Sequence, residues 1–161
     1  MRYELRPVRP DDVETLFTLH RDAMRDYVES AYGPWDDAVQ RGFLHRWLDG
    51  DSDPLIIEVD GEVVGVLDYV NHDDSHDDSV YIGRIEIDPT MQGRGLGTAV
   101  LSDVIADADR SGEDVTLEVI DVNPARRLYE RLGFLETATV GRKVHLRRPA
   151  SRQDLEPPGS R

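Results

Sequence analysis

Cysteine is absent from the 161-residue sequence, and so is any long hydrophobic run. Without cysteine, a catalytic thiol, a cysteine-held zinc ion and a disulfide are all excluded. No apolar run approaches the roughly 20 residues that a membrane span requires. No apolar segment follows residues 1–6, so the start does not resemble a signal peptide. We therefore expect a cytoplasmic protein that does not act at a membrane.

Lysine is nearly as scarce, because Lys143 is the only one and the other 18 basic residues are arginine. Acidic residues number 33, with 22 Asp against 11 Glu, and the formal net charge is −14. Such a surface repels nucleic acid, so we expect none as a partner. Two explanations of the acidity stay open. Dispersed acids are typical of adaptation to high salt, and the same charge could attract a cationic substrate.

Apolar periodicity and turn residues predict one domain over residues 1–148 and a disordered polar tail over 149–161. The predicted strands cover residues 3–9, 55–59, 62–70, 81–89, 115–120, 134–138 and 142–146. The predicted helices cover residues 10–29, 36–48, 98–110 and 123–133. This order predicts an α/β fold in which helices flank a mixed sheet, and it does not fit a doubly wound sheet.

The most informative motif is a glycine-rich turn, Gln92-Gly93-Arg94-Gly95-Leu96-Gly97, between a predicted strand and a predicted helix. Glycines at alternate positions leave backbone N–H groups unshielded at a helix N-terminus, where the dipole favours an anion. Arg94 adds a positive charge, so the turn predicts a cradle for a phosphate or pyrophosphate. A dinucleotide fold needs a different glycine spacing early in the chain, and a P-loop needs Gly-Lys-Ser/Thr. A tight turn without a ligand is the plain alternative.

A second motif follows the next predicted strand and reads Asn123-Pro124-Ala125-Arg126-Arg127-Leu128-Tyr129-Glu130-Arg131-Leu132-Gly133-Phe134. The two motifs resemble the GNAT superfamily of acetyl-CoA-dependent N-acetyltransferases, whose blocks read Q/R-x-x-G-x-G/A and N-x-x-A-x-x-L-Y-x-x-x-G-F. Ala125 falls one place earlier than in that second block. The resemblance covers roughly residues 81–134.

The resemblance implies a mostly antiparallel sheet of six to seven strands with about four helices. It implies transfer of an acetyl group from acetyl-CoA to a primary amine, by direct attack in a ternary complex. The acceptor amine could belong to a small molecule or to a protein, and a homodimer is possible. The alternative is a CoA-binding regulatory or interaction module without chemistry.

The resemblance also implies that acetyl-CoA lies between two strands that splay apart, those beginning at Tyr81 and at Val115. The positions implied in cofactor binding are Ile85, Glu86, Ile87, Gln92, Gly93, Arg94, Gly95, Leu96, Gly97, Thr98, Asn123 and Tyr129. The glycine-turn amides would bind the pyrophosphate. The backbone of residues 85–87 would pair with the pantetheine arm, and an amide there would polarise the acetyl carbonyl. For Asn123, a plain helix N-cap is an equally sufficient explanation.

Three side chains are candidates for proton transfer. Tyr129 matches the tyrosine that protonates the leaving CoA thiolate in this family, although it could be an ordinary core aromatic. An ammonium ion cannot attack a thioester, so a base must remove a proton from the amine. Glu86 and Glu118 are the two candidates for this base, and exit of the proton through water alone is the third possibility.

Two further pairs of residues carry weaker predictions. Tyr27 and Trp35 fall where the family builds its acceptor pocket, although either could serve only in packing. His72 and His76 lie in an acidic loop. A metal site there is one interpretation, but a polar loop without an apolar surround is more typical of a solvated segment, so we expect no metal.

Overall fold

The computed structural model describes residues 2–71 and 79–151. In chain order, its elements are β1 (Glu4–Pro7), α1 (Val13–Tyr32), α2 (Asp37–Leu48), β2 (Leu55–Val59), β3 (Glu62–Val70), β4 (Ser79–Ile87), α3 (Leu96–Ser111), β5 (Asp114–Ile120), α4 (Ala125–Arg131), β6 (Leu135–Val140) and β7 (Lys143–Arg148). Short 3₁₀ turns at Pro10–Asp12 and Pro89–Met91 precede α1 and the glycine turn.

The seven strands form one sheet in the order β1-β2-β3-β4-β5-β7-β6. Neighbouring strands pair antiparallel everywhere except between β4 and β5, which pair parallel. The predicted mixed, mostly antiparallel sheet flanked by four helices is therefore confirmed for the part of the chain that the structure describes.

The parallel pair separates partway along its length. Ser79–Ile82 of β4 pair with Asp114–Leu117 of β5, and both strands then continue without pairing to each other, to Ile87 and Ile120. Beyond Ile82, β4 keeps a strand neighbour only on its β3 side. The gap between β4 and β5 is the feature that positions the site.

The core lies on both faces of the sheet, because successive strand residues point to opposite faces. Ile56 and Val66 pack with α1 and α2, whereas Ile57 and Leu67 belong to the larger cluster with α3 and α4. These four side chains are at most 1% exposed, and burial of each contributes roughly 1.5–3 kcal/mol. The helices on the two faces are thus held rigidly around the gap.

Several element boundaries differ from the predicted ones. Helix α1 continues past the expected break at Ser30 as far as Tyr32, and Gly33 ends it with a positive φ of 98°. Helix α3 begins at Leu96, inside the glycine turn, rather than at Thr98. The first strand ends at Pro7 because residues 10–12 already form a 3₁₀ turn.

Pro149–Ser151 are the only described residues of the predicted tail. Their backbone is attached to the domain, because Ala150 N–H donates to Asp114 and Ser151 N–H donates to Asp109, each at 2.8 Å. In the described ranges, no helix is both long and apolar enough to cross a bilayer.

Candidate active site

The glycine turn reverses the chain between β4 and α3. Gly93 and Gly95 have φ of 75° and 86°, a region that side chains with a Cβ adopt at a cost. Gly95 immediately precedes Leu96, the first residue of α3. The first N–H groups of an α-helix have no carbonyl partner within the helix, so this end of α3 offers free donors.

These donors border a cavity of 480 Å³, which we call the cofactor cavity. Its walls come from α1, the end of β4, the glycine turn, the first turn of α3 and the chain around α4. They consist of Ala23, Met24, Tyr27, Ile85, Glu86, Ile87, Met91, Gln92, Gly93, Gly95, Leu96, Gly97, Thr98, Leu101, Asn123, Pro124, Ala125, Leu128, Tyr129 and Arg131. The wall includes eleven of the twelve predicted cofactor-binding residues, and the exception is Arg94.

A second cavity of 250 Å³, which we call the acceptor cavity, opens where β4 and β5 separate. It is lined by His20, Met24, Tyr81, Ile82, Gly83, Arg84, Ile85, Glu86, Leu117, Glu118, Val119, Ile120, Asn123, Tyr129 and Lys143. Five residues border both cavities: Met24, Ile85, Glu86, Asn123 and Tyr129. The two cavities therefore adjoin at a carboxylate and a phenol.

Glu86 is 7% exposed, and its carboxylate is held by the side chains of His20 and Arg84. His20 Nδ1–H donates to Oε2 at 2.8 Å and to Oε1 at 3.1 Å, and Arg84 donates to Oε1 at 3.3 Å. Burial alone would raise the pKa of Glu86. The hydrogen bond from His20 and the charge of Arg84 outweigh burial, so this pKa lies below its usual range. Glu86 is therefore ionised at neutral pH.

Tyr129 lies on α4 and is 6% exposed. Its ring packs edge-on against Phe134, with centroids 5.9 Å apart. Burial and, to a lesser degree, the charge of Glu86 raise the pKa of Tyr129 to about 12. The hydroxyl therefore keeps its proton at neutral pH and can act as a donor at the junction of the cavities.

Glu118 borders the acceptor cavity but not the cofactor cavity. Its side chain is 30% exposed and forms ion pairs with Lys143 at 3.6 Å and with His145 at 3.4 Å. The two predicted bases thus differ in position. Glu86 lies at the junction of the cavities, and Glu118 lies to one side of it.

The remaining predicted residues are placed as follows. Tyr27 lines the cofactor cavity, whereas Trp35 lines neither cavity but packs at a tilt against the His20 ring, with ring centroids 5.4 Å apart. Asn123 Oδ1 accepts from Ala125 N–H at 2.9 Å, so it caps α4 as well as bordering both cavities. Arg94 extends towards Met91 Sδ, 3.9 Å away.

The sequence analysis missed the side chains that surround Glu86. His20 is the main one, and its spacing along α1 could have indicated that it faces inward. It follows Leu16 by four residues and precedes Met24 by four, so it falls on the inward stripe of α1. Arg84 stacks on Trp47, with its guanidinium carbon 4.1 Å from the ring centroid. This contact joins residues distant in sequence and leaves no local pattern.

In the described ranges, no group of three or more histidine or acidic side chains is arranged to hold a metal ion. The prediction for His72 and His76 concerns residues outside the described ranges.

The sequence matches a known protein family. A sequence profile of the acetyltransferase (GNAT) family matches residues 16–134, which include both motifs, the gap between β4 and β5, the cofactor cavity and the lining of the acceptor cavity apart from Lys143. The chain belongs to the GNAT family.

Individual relatives agree with this assignment. An uncharacterized N-acetyltransferase from Methanocaldococcus jannaschii is 28% identical over 146 residues, which are 86% of this chain and 63% of that protein. An acetyltransferase from Thermus thermophilus has a TM-score of 0.71 at 22% identity, covering 92% of this chain and 97% of that one. The PaiA N-acetyltransferase from Thermoplasma acidophilum, crystallised with coenzyme A, has a TM-score of 0.70 at 15% identity, with coverages of 92% and 99%. These two structures share the fold.

Proposed function

We propose that this protein transfers an acetyl group from acetyl-CoA to a primary amine, by direct attack within a ternary complex. The observation that carries the proposal is the junction of two cavities at Glu86 and Tyr129. One cavity suits the acyl donor, the other suits the amine, and a base and an acid border both. The coenzyme A bound to the structurally similar PaiA protein supports the choice of donor.

The residues of the cofactor cavity fit acetyl-CoA. A Cβ atom added at Gly93 or Gly95 would meet no non-neighbouring atom within 4 Å, so the glycine turn leaves open space beside the free N–H groups of α3. These N–H groups would hold the pyrophosphate. Ile85–Ile87 would hold the pantetheine arm, because β4 has no strand neighbour on its β5 side there. When bound, acetyl-CoA supplies the acetyl group as a thioester.

Glu86 would accept the proton that leaves the amine. A carboxylate with a lowered pKa is a weak base, but the N–H proton becomes much more acidic as the nitrogen bonds to the acetyl carbon. Glu86 stays ionised throughout the neutral range and needs no activation. Glu118 remains the alternative base, from a position on the acceptor side only.

Tyr129 would donate its proton to the sulfur as the carbon–sulfur bond breaks. A pKa of about 12 makes the phenol a weak acid in the resting protein. Part of that elevation comes from the charge of Glu86, and this part disappears once Glu86 takes the amine proton. Proton uptake by Glu86 would thus make Tyr129 a better donor when the thiolate leaves.

The products would be an N-acetylated amine and the free thiol of CoA, and no acyl-enzyme would form. The absence of cysteine from the sequence agrees with direct attack. Structurally similar proteins are described as acting on different amines, among them a ribosomal-protein-S18-alanine N-acetyltransferase from Escherichia coli and a spermidine N-acetyltransferase chimera. The proposed acceptor class is therefore a primary amine, on a small molecule or a protein.

The test is release of free CoA thiol from acetyl-CoA, with peptide N-termini, lysine, polyamines and small monoamines as acceptors. We expect thiol release that depends on the amine, with an equal amount of acetylated amine detected by mass spectrometry. A protein that binds CoA in calorimetry but releases no thiol with any amine would instead be a non-catalytic CoA-binding module.

A further inference from the structure

His20, on α1, contacts both the carboxylate of Glu86 and Gln40, a residue of α2. Its Nδ1 faces Glu86, and its Nε2 lies 3.1 Å from Gln40 Oε1. The His20 side chain is 12% exposed, and its ring packs at a tilt of 44° against the ring of Trp35. A chain of contacts therefore runs from α2, through α1, to the base at the junction of the cavities.

The partners determine which nitrogen of His20 carries a proton. A carboxylate can only accept, so Nδ1 must carry the proton that points at Glu86. With Gln40 Oε1 facing Nε2, that nitrogen also carries a proton. If the Gln40 amide turns over, its NH₂ group donates to Nε2 instead. The Nδ1–H donor to Glu86 is thus retained in either charge state of the imidazole.

We propose that His20 is the positioning residue of this active site, holding the Glu86 carboxylate at the cavity junction through its Nδ1–H. This inference rests on the proposed function, with Glu86 as the base. His20 suits the role because its ring is fixed on three sides, by Glu86, Gln40 and Trp35. Arg84 cannot replace it, because its single contact with Glu86 is longer, at 3.3 Å.

Two substitutions separate the contacts of His20. The amide nitrogen of an asparagine side chain can occupy the place of Nδ1, and that of glutamine the place of Nε2. His20→Asn therefore keeps a donor for Glu86, whereas His20→Gln keeps only the contact with Gln40. His145→Gln is the control, because His145 Nδ1 also faces a glutamate of the acceptor cavity, 3.4 Å from Glu118 Oε1, but in a more exposed pair.

Acetyl transfer by these variants gives the first test. We expect His20→Gln to lower kcat about tenfold or more, with the KM for acetyl-CoA unchanged, because a misplaced base slows only the chemical step. His20→Asn should recover most of the loss, and His145→Gln should lose less than about twofold. Equal losses in the two His20 variants, or a larger loss in His145→Gln, would overturn the proposal.

A double-mutant cycle shows whether His20 acts through Glu86. If it does, His20→Gln should have no further effect on kcat in a Glu86→Gln background. If the losses of kcat in the two single variants multiply in the double variant, His20 supports the fold or substrate binding instead, and the proposal fails.

A readout without turnover separates this inference from the proposed function. Carbon-13 NMR of the Glu86 carboxyl should show titration at a higher pH in His20→Gln than in the wild type, because His20 lowers the pKa of Glu86. The increase should be smaller in His20→Asn. An unchanged titration would overturn the His20–Glu86 contact itself. If the two variants show these shifts but the wild type transfers no acetyl group to any amine, the proposed function is overturned and, with it, the positioning role.

Discussion

The phenol of Tyr129 is the side chain whose role can be tested with the least structural disturbance. Tyr129→Phe removes only the hydroxyl and keeps the edge-on packing against Phe134. We expect kcat to fall by roughly 10²-fold if the hydroxyl protonates the leaving thiolate. The Kd for acetyl-CoA, measured by calorimetry, should change little, because the lost contact strengthens mainly in the transition state. A kcat close to that of the wild type, measured when chemistry is rate-limiting, would remove Tyr129 from the mechanism.

Single substitutions also decide whether Glu86 or Glu118 is the base. Glu86→Gln should lower kcat/KM by roughly 10²-fold, and Glu118→Gln should lower it by less than about threefold, because only Glu86 borders both cavities. The opposite order would assign the base to Glu118.

The wild-type pH profile follows from two pKa shifts. A Glu86 pKa below its usual range and a Tyr129 pKa of about 12 leave both groups in their active forms at neutral pH. Between about pH 6 and 9, kcat/KM should therefore rise only with deprotonation of the amine, whose pKa is roughly 10.4 for an alkyl amine. A decline towards pH 9 would show a Tyr129 that ionises too early for this mechanism.

Residues with a motif were predictable, and residues without one were not. Glu86 and Tyr129 lie in or beside the two sequence blocks, and the structure brings them to the same junction. His20 reaches Glu86 through packing of α1 onto the sheet, whereas Arg84 lies two residues before Glu86 on the same face of β4. The helical spacing of His20 indicates that it faces inward, but no local pattern shows that this face of α1 meets Glu86.

Among the elements, the glycine turn and α3 form the proposed phosphate cradle. Gly95→Asp would place a carboxylate beside the N–H groups of α3, where charge and bulk oppose a pyrophosphate. We expect the Kd for acetyl-CoA to rise at least tenfold, about 1.4 kcal/mol. Gly112→Asp is the matched control, because Gly112 also has a positive φ, 71°, and open space, but lies at the other end of α3. Similar losses of affinity in both variants would refute the cradle.

The helices and strands themselves were predicted more accurately than the residues at which they begin and end. Strands β2 and β3 match their predicted bounds, because the Asp60-Gly61 turn fixes both of them. Helix α1 runs past its predicted end because Ser30 is exposed and costs the helix little, so only Gly33 stops it. The separation of β4 from β5 was expected from the resemblance alone, since no residue pattern in either strand shows where parallel pairing ends.

At the scale of the whole molecule, the negative charge is spread over the surface rather than gathered at the site. The acids that line the acceptor cavity are individually paired, Glu86 with His20 and Arg84, and Glu118 with Lys143 and His145. The site is therefore close to neutral, while the whole chain carries a formal net charge of −14. This distribution favours adaptation to high salt over attraction of a cationic substrate as the reason for the acidity.

If the dispersed acids repel one another, salt should stabilise the protein. The Debye length falls from about 8 Å at 0.15 M to about 3 Å at 1 M, which screens exposed charges. We expect the Tm to rise by several degrees between low and molar KCl, since about 1 kcal/mol corresponds to roughly 2–4 °C for a chain of this size. A variant with Asp26→Asn, Asp51→Asn and Glu62→Gln removes three exposed charges and should show a smaller rise. A flat or falling Tm, together with a kcat/KM for cationic amines that drops steeply with salt, would favour substrate attraction instead.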